Sequence, residues 1–233
     1  MEERDFNLSP RKEGTRDKIV SSVIRFELED IEQHFKENIT AIIDQFNVAD
    51  KLLEEGRIAE AENIWRAQIV FLESALDFYL HELTKYGLSE IFSGNWEKTA
   101  KYDNLEVKMK IIEPALKARE DTDWFLEFVN NYYRSITMAS YESVCEQLKL
   151  LGIDIKEVAD KAFYVRGSTE KTDVKLKRRL NELFSRRNVI AHQSDRAHAN
   201  AQKENITKEV VQEFISDINK IVKAINEKSI CKV

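Results

Sequence analysis

The chain has 233 residues, of which 33% are charged, and its formal net charge is −6. This length can form one large domain whose hydrophobic core needs neither disulfides nor metals for stability. The negative charge excludes a protein that coats nucleic acid with its whole surface, but it does not exclude a local basic patch. The two cysteines lack metal-binding spacing and are too few for a disulfide framework, which is typical of reduced thiols.

The composition predicts an all-α protein. Only six glycines and two prolines occur, helix-forming residues are abundant, and no strand-like alternation of useful length is present. No run reaches the ~18 apolar residues of a transmembrane helix. The acidic N-terminus also lacks the apolar segment of a secretion signal. We therefore expect a cytoplasmic protein without a membrane partner.

The first part of the chain predicts an arm and one long helix. Residues 1–14 are polar, which indicates an N-terminal arm. Apolar residues spaced three to five positions apart predict a long helix over residues 15–55 that packs on the core, with Gly56 as its stop signal.

Residues 56–233 are expected to form one helical bundle. Its first helix, over residues 58–86, is apolar almost all round, so we expect it to be central, with Gly87 at its end. Residues 88–103 predict a structured loop with one short turn. A later helix is expected from Leu105 to a kink or stop at Pro114. Another opens at Trp124 after an N-cap at 121–123, and a further helical pattern runs to Leu151. The remaining helices are expected over residues 155–163, over residues 173–191 and after an N-cap at Thr207.

The end of the helix over residues 173–191 carries the chemistry. On a helical wheel with Leu176 at 0°, Arg187 falls at about 20°, within the stripe of buried leucines. Asn188 and His192 fall at the edge of that stripe, at about 120° and about 160°. An arginine is rarely buried unless it is paired or faces a ligand or partner. Arg187 therefore indicates either a functional surface or an internal ion pair.

The central helix offers partners for that arginine. An ion pair with Glu73 or Asp77 would account for Arg187 without any substrate. Asp77 and His81 are four positions apart, so they lie on one helix face, where an internal hydrogen bond or a supporting role at the site both fit.

A local basic region surrounds the same helix. Between residues 171 and 187 there are seven basic residues and only two acidic ones. We expect Arg178, Arg179 and Arg186 to be solvated, on the side opposite the buried stripe. Lys175, Arg179 and Arg186 are accordingly candidates to attract RNA, although a solvated helix face would look the same.

The motif Arg187-Asn188-Val189-Ile190-Ala191-His192 resembles the Arg-x4–6-His signature of HEPN domains. The stretch from Trp65 to Leu83 is similar to the first core helix of the RiboL-PSP branch. The resemblance spans about residues 57–228 and implies an antiparallel helical bundle, here with an additional long N-terminal helix. It also implies a homodimer in which the signature residues of two chains form one composite site.

The resemblance further implies a metal-independent endoribonuclease without a cofactor, in which the RNA 2′-OH attacks the phosphorus. His192 would act as general acid or base, and Arg187 would stabilise the phosphorane. Asn188 would bind the phosphate or orient His192, while Glu73, Asp77 and His81 would support the site. Many such enzymes are toxins or phage-defence effectors, so a cognate antitoxin or regulatory protein is an expected partner.

Two alternatives remain open. The first is a catalytically inactive HEPN-like module that dimerises or binds a partner, as in members that have lost activity. The second is a nucleotide-modifying or nucleotide-sensing protein that uses the same pocket.

Overall fold

The computed structural model describes residues 23–117, 124–196 and 201–232. The predicted arm at 1–14, the first residues of the predicted long helix and the N-cap predicted at 121–123 lie outside these ranges. The described residues form nine helices: α1 Leu28–Glu54, α2 Ile58–Ser93, α3 Ala100–Asp103, α4 Met109–Lys117, α5 Trp124–Tyr133, α6 Tyr141–Leu150, α7 Ile155–Phe163, α8 Thr172–Gln193 and α9 Lys208–Ile230. In the same ranges the only β pairing is an isolated bridge between Arg196 and Lys203, so the prediction of an all-α fold is confirmed.

Helix α2 is the centre of the bundle, as the sequence predicts. It packs along α1 over much of its length and also contacts α5, α6, α8 and α9. Most of its apolar side chains are buried, including Leu72, Leu76 and Tyr79, each at 0% exposure. Two of its aromatic side chains, Phe71 and Phe78, are nevertheless 49% and 41% exposed beside α1.

Helix α1 starts later than predicted. Residues 23–27 are not helical, and the helix begins at Leu28 after an extended Glu27. Arg25 explains the difference, because its guanidinium forms ion pairs with Glu27 and with Glu90 near the end of α2. These contacts tie the extended segment to α2, and the apolar spacing of the sequence does not reveal them.

Gly87 does not end α2, which continues to Ser93 with Gly94 in the left-handed conformation. A Cβ atom at Gly87 would lie 2.7 Å from Leu151 Cδ2 and 2.8 Å from Trp96 Cζ3. The glycine is therefore required by close packing and not by a turn.

The other boundaries follow the sequence closely. Helix α7 covers the predicted residues, and α8 starts one residue earlier and ends two residues later than predicted. Helix α9 follows the predicted N-cap directly, and the Thr207 hydroxyl accepts from Val210 N. Helix α4 starts four residues later than expected and continues past Pro114 to Lys117. None of the described helices is long and apolar enough to cross a membrane.

Candidate active site at the end of helix α8

Three buried leucines hold α8 against the bundle. Leu176, Leu180 and Leu183 are at most 1% exposed, which confirms the predicted stripe. The helix then continues for ten residues to Gln193, with Ser194 in the left-handed conformation as its C-cap. Arg186, Arg187, Asn188 and His192 are thus presented on the last two turns, beyond the buried anchor.

Arg187 is half-buried and faces α2. Its Nε lies 3.2 Å from Glu73 Oε2, an ion pair without the alignment of a hydrogen bond, and its side chain is 29% exposed. Its Nη1 donates to Asn188 Oδ1 at 3.0 Å. Of the two predicted ion pairs, the one with Glu73 is present. Among the described residues, Nη2 of Arg187 has no hydrogen-bond partner, so one edge of the guanidinium remains for a ligand.

Glu73 is almost completely buried, with a side-chain exposure of 2%. Burial raises the pKa of Glu73, the nearby Arg187 lowers it in part, and the neighbouring charge of Asp77 raises it further. Its Oε1 has no hydrogen-bond partner in the part of the chain that the structure describes. Arg187 is therefore the main group that favours the charged form of this carboxylate.

His192 is exposed and lies one turn beyond Asn188 on the same face of α8. Because Asn188 binds Arg187, its amide oxygen holds the arginine rather than the histidine. The predicted role of Asn188 in orienting His192 has no counterpart in these contacts. The imidazole is open to solvent and can exchange protons with a molecule bound at this helix end.

Asp77 and His81 pair with each other one and two turns beyond Glu73. His81 Nε2 lies 3.4 Å from Asp77 Oδ2 and 2.9 Å from the carbonyl oxygen of Ile136. Asp77 also accepts from Met138 N at 2.5 Å and from Ala139 N at 3.2 Å. Burial alone would raise the pKa of Asp77, but the interaction with His81 and the hydrogen bonds from these amides outweigh it, so the pKa is lowered. The predicted pairing of Asp77 with His81 is present as a close contact, while the hydrogen bonds of both side chains go to the backbone of the loop between α5 and α6.

A buried carboxylate that the sequence analysis did not single out fixes the chain after His192. Asp195 is 0% exposed, and its Oδ2 accepts from Arg66 Nε at 2.6 Å and from Arg186 Nη2 at 2.9 Å. Ser194 and Asp195 both have positive φ, at 52° and 60°, a conformation that is strained for residues other than glycine. The two ion pairs hold the chain in this turn, three residues after the histidine.

The same arginines reach the other side of the loop. Arg66 Nη2 donates to the carbonyl of Glu204 at 3.0 Å, and Arg186 Nη2 donates to that of Asn205 at 3.2 Å. Glu204 N in turn donates to the carbonyl of Asp195 at 2.9 Å. We call Arg66, Arg186 and Asp195 the Asp195 clamp.

A comparison with models of protein families matched RiboL-PSP-HEPN over residues 24–230. The chain belongs to the RiboL-PSP-HEPN family. Comparisons with curated proteins and with solved structures found no match.

The RiboL-PSP-HEPN match begins at residue 24 and so includes α1, whereas the resemblance seen in the sequence began near residue 57. The long N-terminal helix is therefore part of the matched region. The match supports an RNase or nucleotide-related function.

Two of the three predicted RNA-attracting side chains have protein partners in this RiboL-PSP-HEPN structure. The expectation that Arg179 and Arg186 are solvated is wrong: Arg179 pairs with Asp217 of α9 and with Glu182, and Arg186 belongs to the Asp195 clamp. A wheel of α8 cannot show the carboxylates that other elements supply. Lys175 lies over the Phe163 ring at 5.1 Å and precedes Arg187 by twelve residues, about 18 Å along the helix. The role of these three in RNA binding stays a prediction.

The sequence contained one weak signal for the clamp. Arg66 interrupts the apolar surface of α2, and an arginine in such a position requires an acidic partner. The partner is 129 positions away, and its position depends on a turn without glycine. Periodicity could not identify it.

In the described part of the chain, no group of three or more His, Cys, Asp or Glu side chains could hold a metal ion.

Proposed function

We propose that this RiboL-PSP-HEPN protein is a metal-independent endoribonuclease whose site lies at the end of α8. The observation that carries the proposal is the arrangement of Arg187 and His192. Among the described residues, one edge of the Arg187 guanidinium has no partner, and an exposed imidazole lies on the following turn of the same helix.

The reaction needs two proton transfers and one electrostatic stabiliser. The RNA 2′-oxygen loses its proton and attacks the phosphorus, the bond to the 5′-oxygen breaks, and that oxygen takes up a proton. The products are a 2′,3′-cyclic phosphate and a 5′-hydroxyl. An imidazole can both accept and donate a proton, so it suits either transfer. A guanidinium suits the charge that develops on the phosphorane oxygens.

One histidine cannot be both base and acid at the same moment. His192 is the single imidazole on the last two turns of α8. A second chain related by symmetry would bring another His192 to the same phosphate. We therefore extend the proposal to a homodimer with one composite site. The resemblance of the Arg187–His192 motif to HEPN domains further suggests a toxin or phage-defence effector under the control of an antitoxin or regulator.

The test is cleavage of labelled RNA by the purified protein in the presence of EDTA. We expect fragments with cyclic-phosphate ends, and a loss of at least about a hundredfold in rate for both His192→Ala and Arg187→Ala. Arg178→Ala is the matched control, because Arg178 is exposed on the same helix and bonded to Glu170 and Glu182. Full activity of either site variant would overturn the assignment.

One observation favours the inactive module as a second candidate. The ion pair with Glu73 accounts for Arg187 without a substrate. If this is its whole role, the wild-type protein cleaves no RNA, and Arg187→Ala changes stability or assembly alone. The same RNA assay, combined with thermal unfolding of Arg187→Ala, separates the two candidates.

A further inference from the structure

A polar cavity of about 350 Å³ lies between α2 and the end of α5. Its α2 side includes Ser74, Phe78 and His81, and its other side includes Asn130 and Arg134. Asp77, which also lines the cavity, interacts electrostatically with Glu73, the partner of Arg187. From Ser74 the cavity extends along α2 as far as Lys85, about 16 Å away.

The acidic groups of this cavity already have partners in the protein. Asp77 contacts His81 and accepts hydrogen bonds from two loop amides. Glu82 pairs with Lys85, with Oε1 and Nζ 2.6 Å apart. Lys85 therefore compensates the charge of Glu82, and the oxygens of Asp77 face the protein's own donors.

Arg134 is the positive charge of this cavity that has no acidic partner among the described residues. It is exposed, directly after the last residue of α5, and in the described ranges no carboxylate lies within ion-pair distance of it. Arg179, Arg186 and Arg187 on α8, by contrast, each have an acidic partner. A free, forked guanidinium at the edge of a polar cavity is suited to a phosphate group.

The neighbouring groups are suited to the rest of a nucleotide. His81 Nε2 faces a backbone carbonyl, which can only accept, so this nitrogen carries the hydrogen. In the neutral ring, Nδ1 is then an acceptor without a partner among the described residues. The Asn130 amide can donate and accept, and the Phe78 ring, 41% exposed, can stack on a base.

From these observations we infer that the cavity between α2 and α5 is a subsite for a single-stranded RNA nucleotide flanking the scissile phosphate, with Arg134 bound to its phosphate. This inference rests on the proposed function, since it names where the substrate continues beyond Arg187. Glu73 and His81 are eight residues apart on α2, about 12 Å, so His81 serves a different nucleotide from the one that Arg187 holds.

The experiment measures binding without cleavage. The His192→Ala protein is titrated against a short, fluorescently labelled single-stranded RNA at several salt concentrations. When Arg134→Ala is added to the His192→Ala protein, RNA binding should weaken about tenfold, because one charged hydrogen-bonding group is lost. It should also reduce the slope of log K against log salt by about 0.7, the contribution of one phosphate contact on a single strand.

Two further variants make the result specific. Arg134→Lys keeps the charge and should keep the salt slope. Arg57→Ala removes an exposed arginine at the turn before α2, where it pairs with Glu55 and Glu60, and should change neither quantity. Equal binding by Arg134→Ala and Arg57→Ala, an unchanged slope in Arg134→Ala, or no RNA binding by the His192→Ala protein would each overturn the subsite.

The outcome is separable from that of the cleavage assay. If the wild-type protein cleaves no RNA but Arg134→Ala loses affinity and slope, the subsite stands and the ribonuclease proposal fails. If the wild-type protein cleaves RNA and Arg134→Ala binds like Arg57→Ala, the subsite fails and the ribonuclease proposal stands.

Discussion

Adjacent arginines at the end of α8 have different surroundings. Arg186 contacts the fully buried Asp195, whereas Arg187 contacts Glu73 and keeps one edge of its guanidinium free. Arg186 is thus expected to matter for the stability of the fold, and Arg187 for catalysis. The wheel identified Arg187 as unusual but placed Arg186 in solvent, because the turn that brings Asp195 back under α8 has no signal in the spacing of apolar residues.

The Asp195 clamp leads to a prediction on stability. Asp195→Asn removes the charge that two buried arginines share, and breaking one side of a buried ion pair is costly. We expect the free energy of unfolding to fall by about 3 kcal/mol, measured by urea denaturation.

Glu204→Ala is the control for this prediction. Glu204 also forms an ion pair with Arg186, but its side chain is 52% exposed. Removal of such a surface partner should change stability by less than about 1 kcal/mol. Equal losses in the free energy of unfolding for the two substitutions would show that burial does not determine how much Asp195 contributes to stability.

At the scale of elements, the apolar periodicity predicted which segments are helical and that α2 is central. It failed where the chain responds to distant contacts. Helix α1 starts late because Arg25 binds the end of α2, and α2 passes through Gly87 because two large side chains pack against that glycine. Both causes link residues that are far apart in the sequence, so a local pattern cannot contain them.

Gly87→Ala tests this account of α2. In an ordinary helix interior this change would stabilise by about 1 kcal/mol. Here the added methyl group would meet Leu151 and Trp96, which are 0% and 3% exposed and have little room to move. We expect a net loss of about 1–3 kcal/mol in chemical denaturation.

The double variant Gly87→Ala, Leu151→Ala provides the control, because the smaller side chain leaves room for the methyl group. Its destabilisation should be clearly less than the sum of the two single changes. A higher melting temperature of Gly87→Ala would contradict the packing explanation.

At the scale of the whole molecule, the sequence predicted the fold class and the family resemblance, and the family match covers most of the chain. What it could not predict is how the candidate site is assembled from separate segments. Glu73 on α2, Arg187 on α8 and Asp195 in the following turn come together only in the folded bundle. The homodimer stays a prediction.

The composite site can be tested by mixing wild-type and His192→Ala chains. If two His192 side chains act on one phosphate, a mixed dimer holds only one of them and should be inactive. After the two proteins are unfolded together and refolded, we expect RNA cleavage to fall below the fraction of wild-type chains and to approach the square of that fraction. Cleavage in proportion to the fraction of wild-type chains, although sedimentation shows mixed dimers, would place the site within one chain.

The different contacts of Arg186 and Arg187 also require that the last turns of α8 keep their rotation about the helix axis. One residue inserted between Leu183 and Arg186 would rotate everything after it by about 100°. Arg186 would then turn towards Glu73, His192 would take the place of Gln193, and Asp195 would move away from Arg66. The end of this helix should therefore accept no change in length, so that its residue count is as much a part of the site as its side chains.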